Sequence, residues 1–290
     1  IDDIMAFRDL GPLHNPPQAI AMRACQEVFG KETPMVAVFD TSFHQTMPAK
    51  AYMFGIPYEY YEKYSIRRYG FHGTSHRYIA HRFGELKGSL EGKKIINCHL
   101  GNGSSLAAIQ DGKVVDTSMG FTPLDGFLMG TRCGGIDPSV VTFIMKKENL
   151  SPDEMSDLMN KKSGFLGVSG VSSDCRDLNA AAEQGNERAQ LALDMFVYQI
   201  KKFIGGYAAA MGGVDAVIFT GGIGENDAEM RAKVCSDMEY LGLKVDAEAC
   251  ANASRKEACF QAADSKVEAW VLPTNEELMI ARDTVELTSK

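Results

Sequence analysis

Residues 95–105, Ile95-Ile96-Asn97-Cys98-His99-Leu100-Gly101-Asn102-Gly103-Ser104-Ser105, are a short apolar run that breaks into a loop of Gly, Asn and Ser. The run predicts a β-strand that leads into a tight turn. Glycines in the turn allow positive φ and close approach to a ligand, and the N–H, hydroxyl and amide groups there can converge on anionic oxygens. The pattern fits a polyphosphate cradle and an ordinary β-hairpin equally well.

Strand and helix patterns alternate on both sides of this stretch. Before it, residues 35–39 (Met-Val-Ala-Val-Phe) are a near-continuous β-prone run, which predicts a strand buried on both faces. After it, Asp111-Gly112 is a pair that tight hairpin turns prefer. Residues 214–220 predict another buried strand, followed by a glycine turn at 221–226 and a helix. The alternation predicts an α/β fold.

Several helices carry recognisable boundaries. Ser151 with Glu154 three residues later predicts a capping box, and Thr74 or Ser75 is predicted to cap the helix that follows. Residues 178–211 are strongly helical with a break near Gly185-Asn186. The part from residue 189 to 211 is apolar on more than one face, which fits either a subunit interface or burial within one subunit.

The composition limits the classes of function. The chain has 290 residues and a net charge of −8, and no stretch concentrates Lys and Arg on one face, which argues against binding of nucleic acid or an anionic membrane. Seven cysteines without a Cys-x-x-Cys pair favour reduced thiols. No apolar run reaches the roughly 18 residues of a membrane-spanning helix, and no signal segment is recognisable. We expect a soluble cytoplasmic protein that acts on small molecules.

Three loops rich in Gly, Ser and Asn, at residues 99–105, 167–176 and 221–226, together suggest a nucleotide cleft. None of them has the Gly-x-x-x-x-Gly-Lys-Ser/Thr spacing of a P-loop. Gly222-Ile223-Gly224 lacks the third glycine of a Rossmann fingerprint. The loops therefore indicate a different phosphotransferase architecture.

Four motifs spread over nearly the whole chain resemble those of the acetate kinase (acetokinase) family. They are Arg68-Tyr69-Gly70-Phe71-His72-Gly73-Thr74-Ser75-His76, His99-Leu100-Gly101-Asn102-Gly103-Ser104-Ser105, Thr220-Gly221-Gly222-Ile223-Gly224-Glu225-Asn226 and Pro273-Thr274-Asn275-Glu276-Glu277.

The resemblance implies a fold and a domain organisation. The family belongs to the sugar kinase, Hsp70 and actin superfamily, whose members have two ribonuclease-H-like lobes, each an α/β unit with a mixed sheet flanked by helices, and bind ATP between them. The acetokinases work as homodimers. The family's first phosphate loop and a substrate-binding Arg have no match in this chain. Residues 1–44 and 278–290 are thus expected to be a remnant of the first lobe, and residues 45–277 a nearly complete second lobe for nucleotide binding and dimerisation.

The resemblance also implies roles for individual residues, since phosphoryl transfer to a carboxylate needs charge neutralisation, a metal ion and in-line positioning. Catalytic roles are implied for His14, Asp40, His72 and Arg132. A pocket for the methyl group of acetate is implied for Leu13, Phe71 and Pro123. Nucleotide contacts are implied for His99, Leu100, Gly101, Asn102, Gly103, Asp174, Cys175, Arg176, Gly221, Gly222, Ile223, Gly224 and Glu225. Binding of Mg²⁺, or of Mn²⁺, is implied for Asp40 and Glu276.

Each role has a plainer alternative. Asp40 and Glu276 could be helix caps, Arg132 a surface residue at a helix end and His99 a structural residue. The pocket residues could simply be core.

The implied activity is reversible, Mg²⁺-dependent transfer of a phosphoryl group from ATP to acetate by direct in-line displacement. Propionate kinase is the nearest alternative, because the two pockets differ only in volume. An ATP-binding module without carboxylate kinase turnover is an alternative of another class. Because the first phosphate loop has no match, we expect low activity from these 290 residues alone.

Overall fold

The computed structural model describes residues 1–8, 15–30 and 32–289. The chain divides into two compact units, which we call unit 1 (Ile1–Phe39 with Asn275–Lys290) and unit 2 (Asp40–Thr274). Unit 2 contains the sheet and most of the helices.

Unit 2 is built on one mixed sheet of six strands in the order β3-β2-β1-β4-β6-β5. The strands are β1 (Lys94–Leu100), β2 (Ser104–Gln110), β3 (Lys113–Thr117), β4 (Ala216–Thr220), β5 (Ala258–Cys259) and β6 (Glu268–Val271). Strands β1, β4 and β6 are parallel, while β2, β3 and β5 run antiparallel to their neighbours. The predicted mixed sheet is confirmed.

The stretch from residue 95 to 105 is a hairpin between β1 and β2, with His99 opposite Ser105 and Leu100 opposite Ser104. The predicted turn at Asp111-Gly112 joins β2 to β3, and both residues have the positive φ that such a turn requires. The hairpin prediction is therefore confirmed in both places.

Helices cover both faces of the sheet. The unit 2 helices are α3 (Ala49–Tyr52), α4 (Glu59–Tyr64), α5 (Gly73–Lys87), α6 (Pro138–Glu148), α7 (Pro152–Lys161), α8 (Gly164–Ser169), α9 (Cys175–Glu183), α10 (Glu187–Met211), α11 (Gly221–Asn226), α12 (Ala228–Cys235) and α13 (Ala247–Asn252). Short 3₁₀ turns lie at Ser42–Thr46 and Glu239–Leu241. Unit 1 contains α1 (Asp2–Ala6), α2 (Asn15–Phe29) and α14 (Glu276–Thr288).

Alternate residues of each central strand enter two different cores, as a two-sided sheet requires. Ile96, Cys98 and Leu100 of β1 join the larger core, to which α10 contributes Phe196 and Ile200. The intervening Ile95 packs with Ile79 and Phe83 of α5 in the smaller core on the other face. The near-continuous apolar character of β1 follows from this double burial.

Two helix boundaries match their sequence signals. Ser151 and Glu154 form the predicted capping box of α7, each side chain bonding to the other's backbone N–H. The predicted break near residue 185 separates α9 from α10, and Asn186 caps α10 by accepting bonds from the N–H groups of Arg188 and Ala189. These signals act over three or four residues, which is why they can be read locally.

The strand predicted at residues 35–39 was wrong. The segment has no regular secondary structure and pairs with no strand among the described residues, and Met35 and Phe39 are exposed. An apolar run becomes a strand only where a neighbouring backbone accepts and donates its hydrogen bonds.

Two further predictions need correction. Residues 221–226 form the short helix α11 instead of an open glycine turn. Neither Thr74 nor Ser75 caps α5, because the helix starts at Gly73 and His72 occupies the N-cap position.

The long helix α10 presents one stripe of buried residues to the larger core. Its other side exposes Leu191 and Tyr198, which are 52% and 64% accessible. Of the two alternatives for residues 189–211, burial within one subunit is therefore correct for the stripe that faces the larger core. No helix in residues 1–8, 15–30 or 32–289 is long and apolar enough to cross a membrane.

Candidate active site

The carboxyl ends of β1 and β4 lie side by side, with His99 opposite Thr220. In open sheets with parallel strands, this edge is where ligands bind. A cavity of about 710 Å³ opens there, within the range of about 300–1,000 Å³ typical of small-molecule sites. Its lining residues are Gly101, Asn102, Ser173, Asp174, Cys175, Arg176, Asn179, Gly222, Ile223, Asn226, Asp227, Ala228 and Arg255.

The loop between β1 and β2 is closed by its own side chain. The Ser104 hydroxyl donates to the carbonyl of Gly101 (2.9 Å) and accepts from the N–H of Gly101 (3.0 Å). The Ser105 hydroxyl contacts two imidazoles, those of His72 and His76. Both serine hydroxyls thus bind protein groups, so the expectation that they converge on a ligand was wrong.

Gly103, at the end of this loop, faces two side chains of other segments. A Cβ built on Gly103 would lie 3.3 Å from His72 Nε2 and 3.4 Å from Arg132 Nη1. The imidazole and the guanidinium therefore converge on one point beside the loop. The same point adjoins the cavity, which Gly101 and Asn102 line.

His72 is held in an uncommon backbone conformation. Its φ is +56°, in the left-handed region, which costs a non-glycine residue about 1–3 kcal/mol. The carboxylate of Asp40 accepts from its backbone N–H at 2.7 Å. The imidazole stacks on that of His99, with centroids 4.2 Å apart and planes 25° apart. The strained conformation directs the ring toward Gly103 and Arg132.

Both stacked histidines are neutral near pH 7. Burial, the charge of Arg132 and His44 lower the pKa of His72 to about 4. Burial and His72 lower the pKa of His99 to about 3, against a raising effect of Asp40. At this site a neutral imidazole can donate one hydrogen bond and accept another.

Arg132 places a positive charge beside the loop between β1 and β2. Its Nη1 donates to the carbonyl of Pro123 at 3.2 Å, and burial lowers the pKa of its guanidinium. The side chain is partly exposed, which leaves its fork able to meet an anion. The alternative of a plain surface residue does not fit this placement.

The cavity's outer wall contains a pair of opposite charges. Asp174 caps α9 and accepts from Arg176 Nε and Nη2 at 3.0 and 2.6 Å, and these bonds lower the pKa of Asp174 to about 2. Burial and Asp227 raise the pKa of the Cys175 thiol to about 12, so it stays protonated. The wall is thus polar and carries no reactive thiolate.

Comparison with known proteins identifies the chain. The family model described as the acetokinase family matches residues 1–282. The acetate kinase of Treponema denticola is 59% identical over 281 residues, 96% of this chain and 70% of that protein. The acetate kinase of Carboxydothermus hydrogenoformans is 58% identical over 281 residues, with the same coverage. This chain belongs to the acetokinase family.

Solved structures of acetokinases have the same fold. The crystal structure of Porphyromonas gingivalis acetate kinase matches with a TM-score of 0.94 and 48% identity, over 98% of this chain and 71% of that one. That of a propionate kinase from Francisella tularensis matches with a TM-score of 0.92 and 42% identity, over 97% and 72%. The predicted actin-like ATPase fold is confirmed.

Asp40 acts as a helix cap in this acetokinase structure. Besides His72, its carboxylate meets the N–H of Thr74 at 3.5 Å, and its carbonyl accepts from Gly73 at 2.9 Å. An ionised carboxylate has about four lone-pair sites, so two remain for a cation. No cluster of three or more His, Cys, Asp or Glu side chains able to hold a metal exists among the described residues.

Not every residue implied by the family resemblance faces the cavity. Leu100 is fully buried in the core, and Gly221 and Gly224 are buried beneath the loop. Glu225 accepts from the N–H groups of Gly221 (2.9 Å) and Thr274 (3.1 Å), so it ties α11 to the end of β6. These residues therefore support the segments that line the cavity and do not line it themselves.

The remaining residues with roles implied by the family resemblance, where the structure describes them, do not line the cavity. His14 and Leu13 fall outside the described residues. Phe71 and Pro123 are partly buried beside His72 and Arg132. Glu276 begins α14 in unit 1.

The cavity also includes residues to which the sequence assigned no individual role. Ser173 and Asn226 belong to loops that were predicted to form a nucleotide cleft, whereas Asn179, Asp227, Ala228 and Arg255 lie outside those loops. Asp227 and Ala228 directly follow the glycine motif, and this position in the sequence is a signal that could have predicted them. Arg255 lies in a segment without any motif and reaches Asn226 from 29 positions away. Only the folded chain brings it to the cavity.

Proposed function

We propose that the protein is an acetate kinase, which transfers the terminal phosphoryl group of ATP to acetate and forms acetyl phosphate and ADP. Family membership over residues 1–282 and identities near 59% to acetate kinases support this proposal. The observation that carries it is the convergence of His72 Nε2 and Arg132 Nη1 on Gly103, next to a nucleotide-sized cavity.

Transfer of a phosphoryl group depends on positioning and charge stabilisation more than on covalent chemistry. The cavity would hold the nucleotide, with α11 on one side and Asp174 and Arg176 on the other. Its phosphates would extend along the Gly101–Gly103 loop toward Arg132. The fork of Arg132 would neutralise equatorial oxygens of the moving group, and His72 would donate a hydrogen bond to it.

The substrate carboxylate would approach from the side of Phe71 and Pro123. Both residues are partly buried and flank the polar groups, Phe71 in the chain next to His72 and Pro123 through its bond to Arg132. A small apolar surface here would accept the methyl group of acetate while its carboxylate faces Arg132. This arrangement would place the nucleophile and the phosphoryl group for in-line attack.

Asp40 is the unit 2 residue that would hold Mg²⁺ or Mn²⁺, through the lone pairs that α5 does not use. The bound cation would neutralise charge on the nucleotide phosphates. A metal role for Glu276 stays a prediction from the family resemblance.

We further propose that unit 2 is the second lobe of the kinase and that the protein is a cytoplasmic homodimer. The exposed apolar side chains Leu191 and Tyr198 on α10 support a subunit contact there. Light scattering coupled to gel filtration measures the mass in solution. A monomeric mass would contradict the dimer.

Propionate kinase is the second candidate, supported by the 42% identity to the Francisella tularensis enzyme. One methylene changes discrimination by only about 1–3 kcal/mol. Comparison of kcat/KM for acetate and propionate under the same conditions distinguishes the two. A higher value for propionate would select the alternative.

Hydroxylamine trapping tests the proposed reaction itself. The product of the complete reading frame, incubated with ATP, Mg²⁺ and acetate, should form acetyl hydroxamate in proportion to ADP. ADP without hydroxamate would instead indicate an ATPase module. Nucleotide binding without either product would leave only a binding function.

A further inference from the structure

A chain of hydrogen bonds runs behind His72 into the core of unit 2. The Asn97 amide nitrogen lies 2.8 Å from His76 Nδ1, and His76 Nε2 lies 2.8 Å from Ser105 Oγ. Ser105 Oγ in turn lies 2.9 Å from His72 Nδ1. Asn97, His76 and Ser105 are all 0% exposed. The chain connects a buried amide on β1 to the imidazole that faces Gly103.

The direction of this chain follows from Asn97. With its N–H₂ group toward His76, the Asn97 carbonyl oxygen has no partner in the part of the chain that the structure describes. If the Asn97 amide were reversed, its oxygen would bond to His76 and neither of its two N–H donors would have a partner. Orphaned buried N–H groups are rarer than under-satisfied carbonyl oxygens. The amide therefore donates to His76 Nδ1.

Each later proton position follows from the one before. Because His76 Nδ1 accepts, its proton is on Nε2, which donates to the Ser105 oxygen. The Ser105 hydroxyl has one proton and gives it to His72 Nδ1. His72 must then carry its own proton on Nε2, the atom that faces Gly103 and Arg132.

We propose that Asn97, His76 and Ser105 are positioning residues that hold His72 as the Nε2–H tautomer, so that it donates a hydrogen bond to the phosphoryl group in transfer. The inference rests on the proposed kinase function of the site. The three residues act through His72 and touch no substrate themselves.

The tautomer matters because a neutral ring presents either a donor or a lone pair at Nε2. A lone pair aimed at anionic phosphoryl oxygens would repel them, whereas an N–H stabilises them. Other contacts fix the ring but leave its tautomer open. Asp40 binds the backbone of His72, and His99 stacks on its face.

Nitrogen-15 NMR of histidine-labelled protein tests the inference directly. Two-bond correlations distinguish the protonated from the unprotonated ring nitrogen, and loss of signals in His72→Asn assigns the residue. We expect Nε2–H on both His72 and His76 in the unliganded enzyme. Nδ1–H on His72 would overturn the proposal.

Substitution of Ser105 separates tautomer control from fold. Ser105→Ala should make the His72 tautomers mix and lower kcat by about 10- to 100-fold, less than the 10²–10³-fold cost of deleting a preorganised donor. KM for ATP should change little. Ser105→Thr keeps the hydroxyl and should restore both the tautomer and kcat.

Ser118→Ala is the matched control. Ser118 is also buried and its hydroxyl accepts from the N–H of Leu106, but this hydroxyl has no hydrogen bond to any histidine that the structure describes. We expect a loss of stability without a change in kcat or in the His72 signals. If kcat fell equally in Ser105→Ala and Ser118→Ala, the role of Ser105 would be structural only, and the proposal would be overturned.

Asn97→Asp should reverse the direction of the hydrogen bonds between residue 97 and His72, because the new side chain has almost the same shape but only accepts when ionised. The ring nitrogen next to an ionised carboxylate carries the proton, so His76 should become Nδ1–H and His72 should follow. We expect the NMR pattern of His72 to invert and kcat to fall by about 100-fold. An unchanged His72 pattern with wild-type kcat would contradict the relay.

The two proposals fail in different ways. Wild-type protein that shows Nε2–H on His72 but no acetyl phosphate would defeat the kinase function alone. Active kinase with Nδ1–H on His72 would defeat the relay alone.

Discussion

His72 and Arg132 show how much of the site depends on single side chains in unusual surroundings. His72 has a left-handed backbone and a pKa lowered to about 4, and Arg132 is a cation desolvated beside it. Each feature is costly for the fold, and such costs concentrate at functional sites. Substitutions here should therefore change activity much more than stability.

Arg132→Ala should lower kcat by about 10²–10³-fold, because it removes a preorganised cation from the transferred group. Arg132→Lys should recover little, since an ammonium group cannot reproduce the fork of a guanidinium. Steady-state kinetics with ATP and acetate measures both. Arg82→Ala, which breaks surface ion pairs to Glu257 and Glu85, is the control. A wild-type kcat in Arg132→Ala would exclude the proposed role.

His44 gives a prediction for the pH dependence of stability. Burial lowers its pKa to about 3, and neither ring nitrogen has a hydrogen-bond partner among the described residues. The unfolded chain, with an ordinary histidine pKa of about 6.5, binds the extra proton between pH 6.5 and 3. The contribution of neutral His44 to stability is therefore complete above pH 6.5 and is lost as the pH falls toward 3.

Urea unfolding between pH 4 and 6 measures this loss. The free energy of unfolding should fall by about 1.4 kcal/mol per pH unit for each buried histidine that takes up a proton on unfolding. His44→Leu should reduce the slope by about one proton. The exposed His81, replaced in His81→Gln, serves as the control. An unchanged slope in His44→Leu would show that His44 does not contribute.

At the scale of elements, α11 links fold to function. It begins directly after β4, and its first residues border the loop between β1 and β2. Glu225 fastens it to Thr274, while the buried Arg231 donates to the carbonyl of Gly224 at 2.9 Å. The Glu225 carboxylate also accepts from the N–H of Gly221. Both ends of this short helix are thus fixed, so its exposed face at the cavity is preformed.

Gly222→Ala tests this face. A Cβ at Gly222 meets no protein atom within 4 Å, and alanine favours a helix over glycine by about 0.5–1 kcal/mol. Stability should stay equal or rise. The methyl group would intrude on bound nucleotide, and an overpacking cost of about 1–3 kcal/mol predicts a KM for ATP raised by roughly tenfold or more.

Gly206→Ala on α10 is the matched control for this substitution, because its Cβ also meets nothing within 4 Å and Gly206 does not line the cavity. Thermal unfolding and ATP kinetics should be compared for both variants. An unchanged KM in Gly222→Ala would place the nucleotide elsewhere.

At the scale of the whole molecule, ligand binding should raise stability. The cavity is formed by residues from four separate segments of unit 2, centred on positions 101, 175, 226 and 255. A ligand that contacts all of them binds only the folded chain. Nucleotide should therefore stabilise the protein by mass action.

ATP at 100 times its Kd should increase the free energy of unfolding by about 2.7 kcal/mol. Thermal unfolding with and without ATP measures the shift, and hydrogen exchange should show added protection at Gly101–Gly103 and in α11. Tripolyphosphate, which lacks the adenosine part, should give a smaller effect. Absence of any shift would contradict a nucleotide site in this cavity.

The sequence alone determined features that depend on a few neighbouring residues. The Asp111-Gly112 turn, the Ser151–Glu154 capping box and the strand of residues 95–100 all follow from local backbone preferences and from burial on two faces. The motifs that identify the family are local as well. Phosphate-binding chemistry could therefore be expected at His99–Ser105 before the fold was known.

Only the tertiary structure decided which distant groups meet. Residues 35–39 have the pattern of a strand but pair with no other strand that the structure describes, because pairing depends on a neighbour that local sequence does not specify. Asp40 reaches His72 across 32 positions, and Ser105 meets both His72 and His76. Through Ser105, the hairpin at residues 95–105 thus also supports His72. The sequence could not predict this contact, because hydrogen bonds between distant segments depend on packing and not on spacing along the chain.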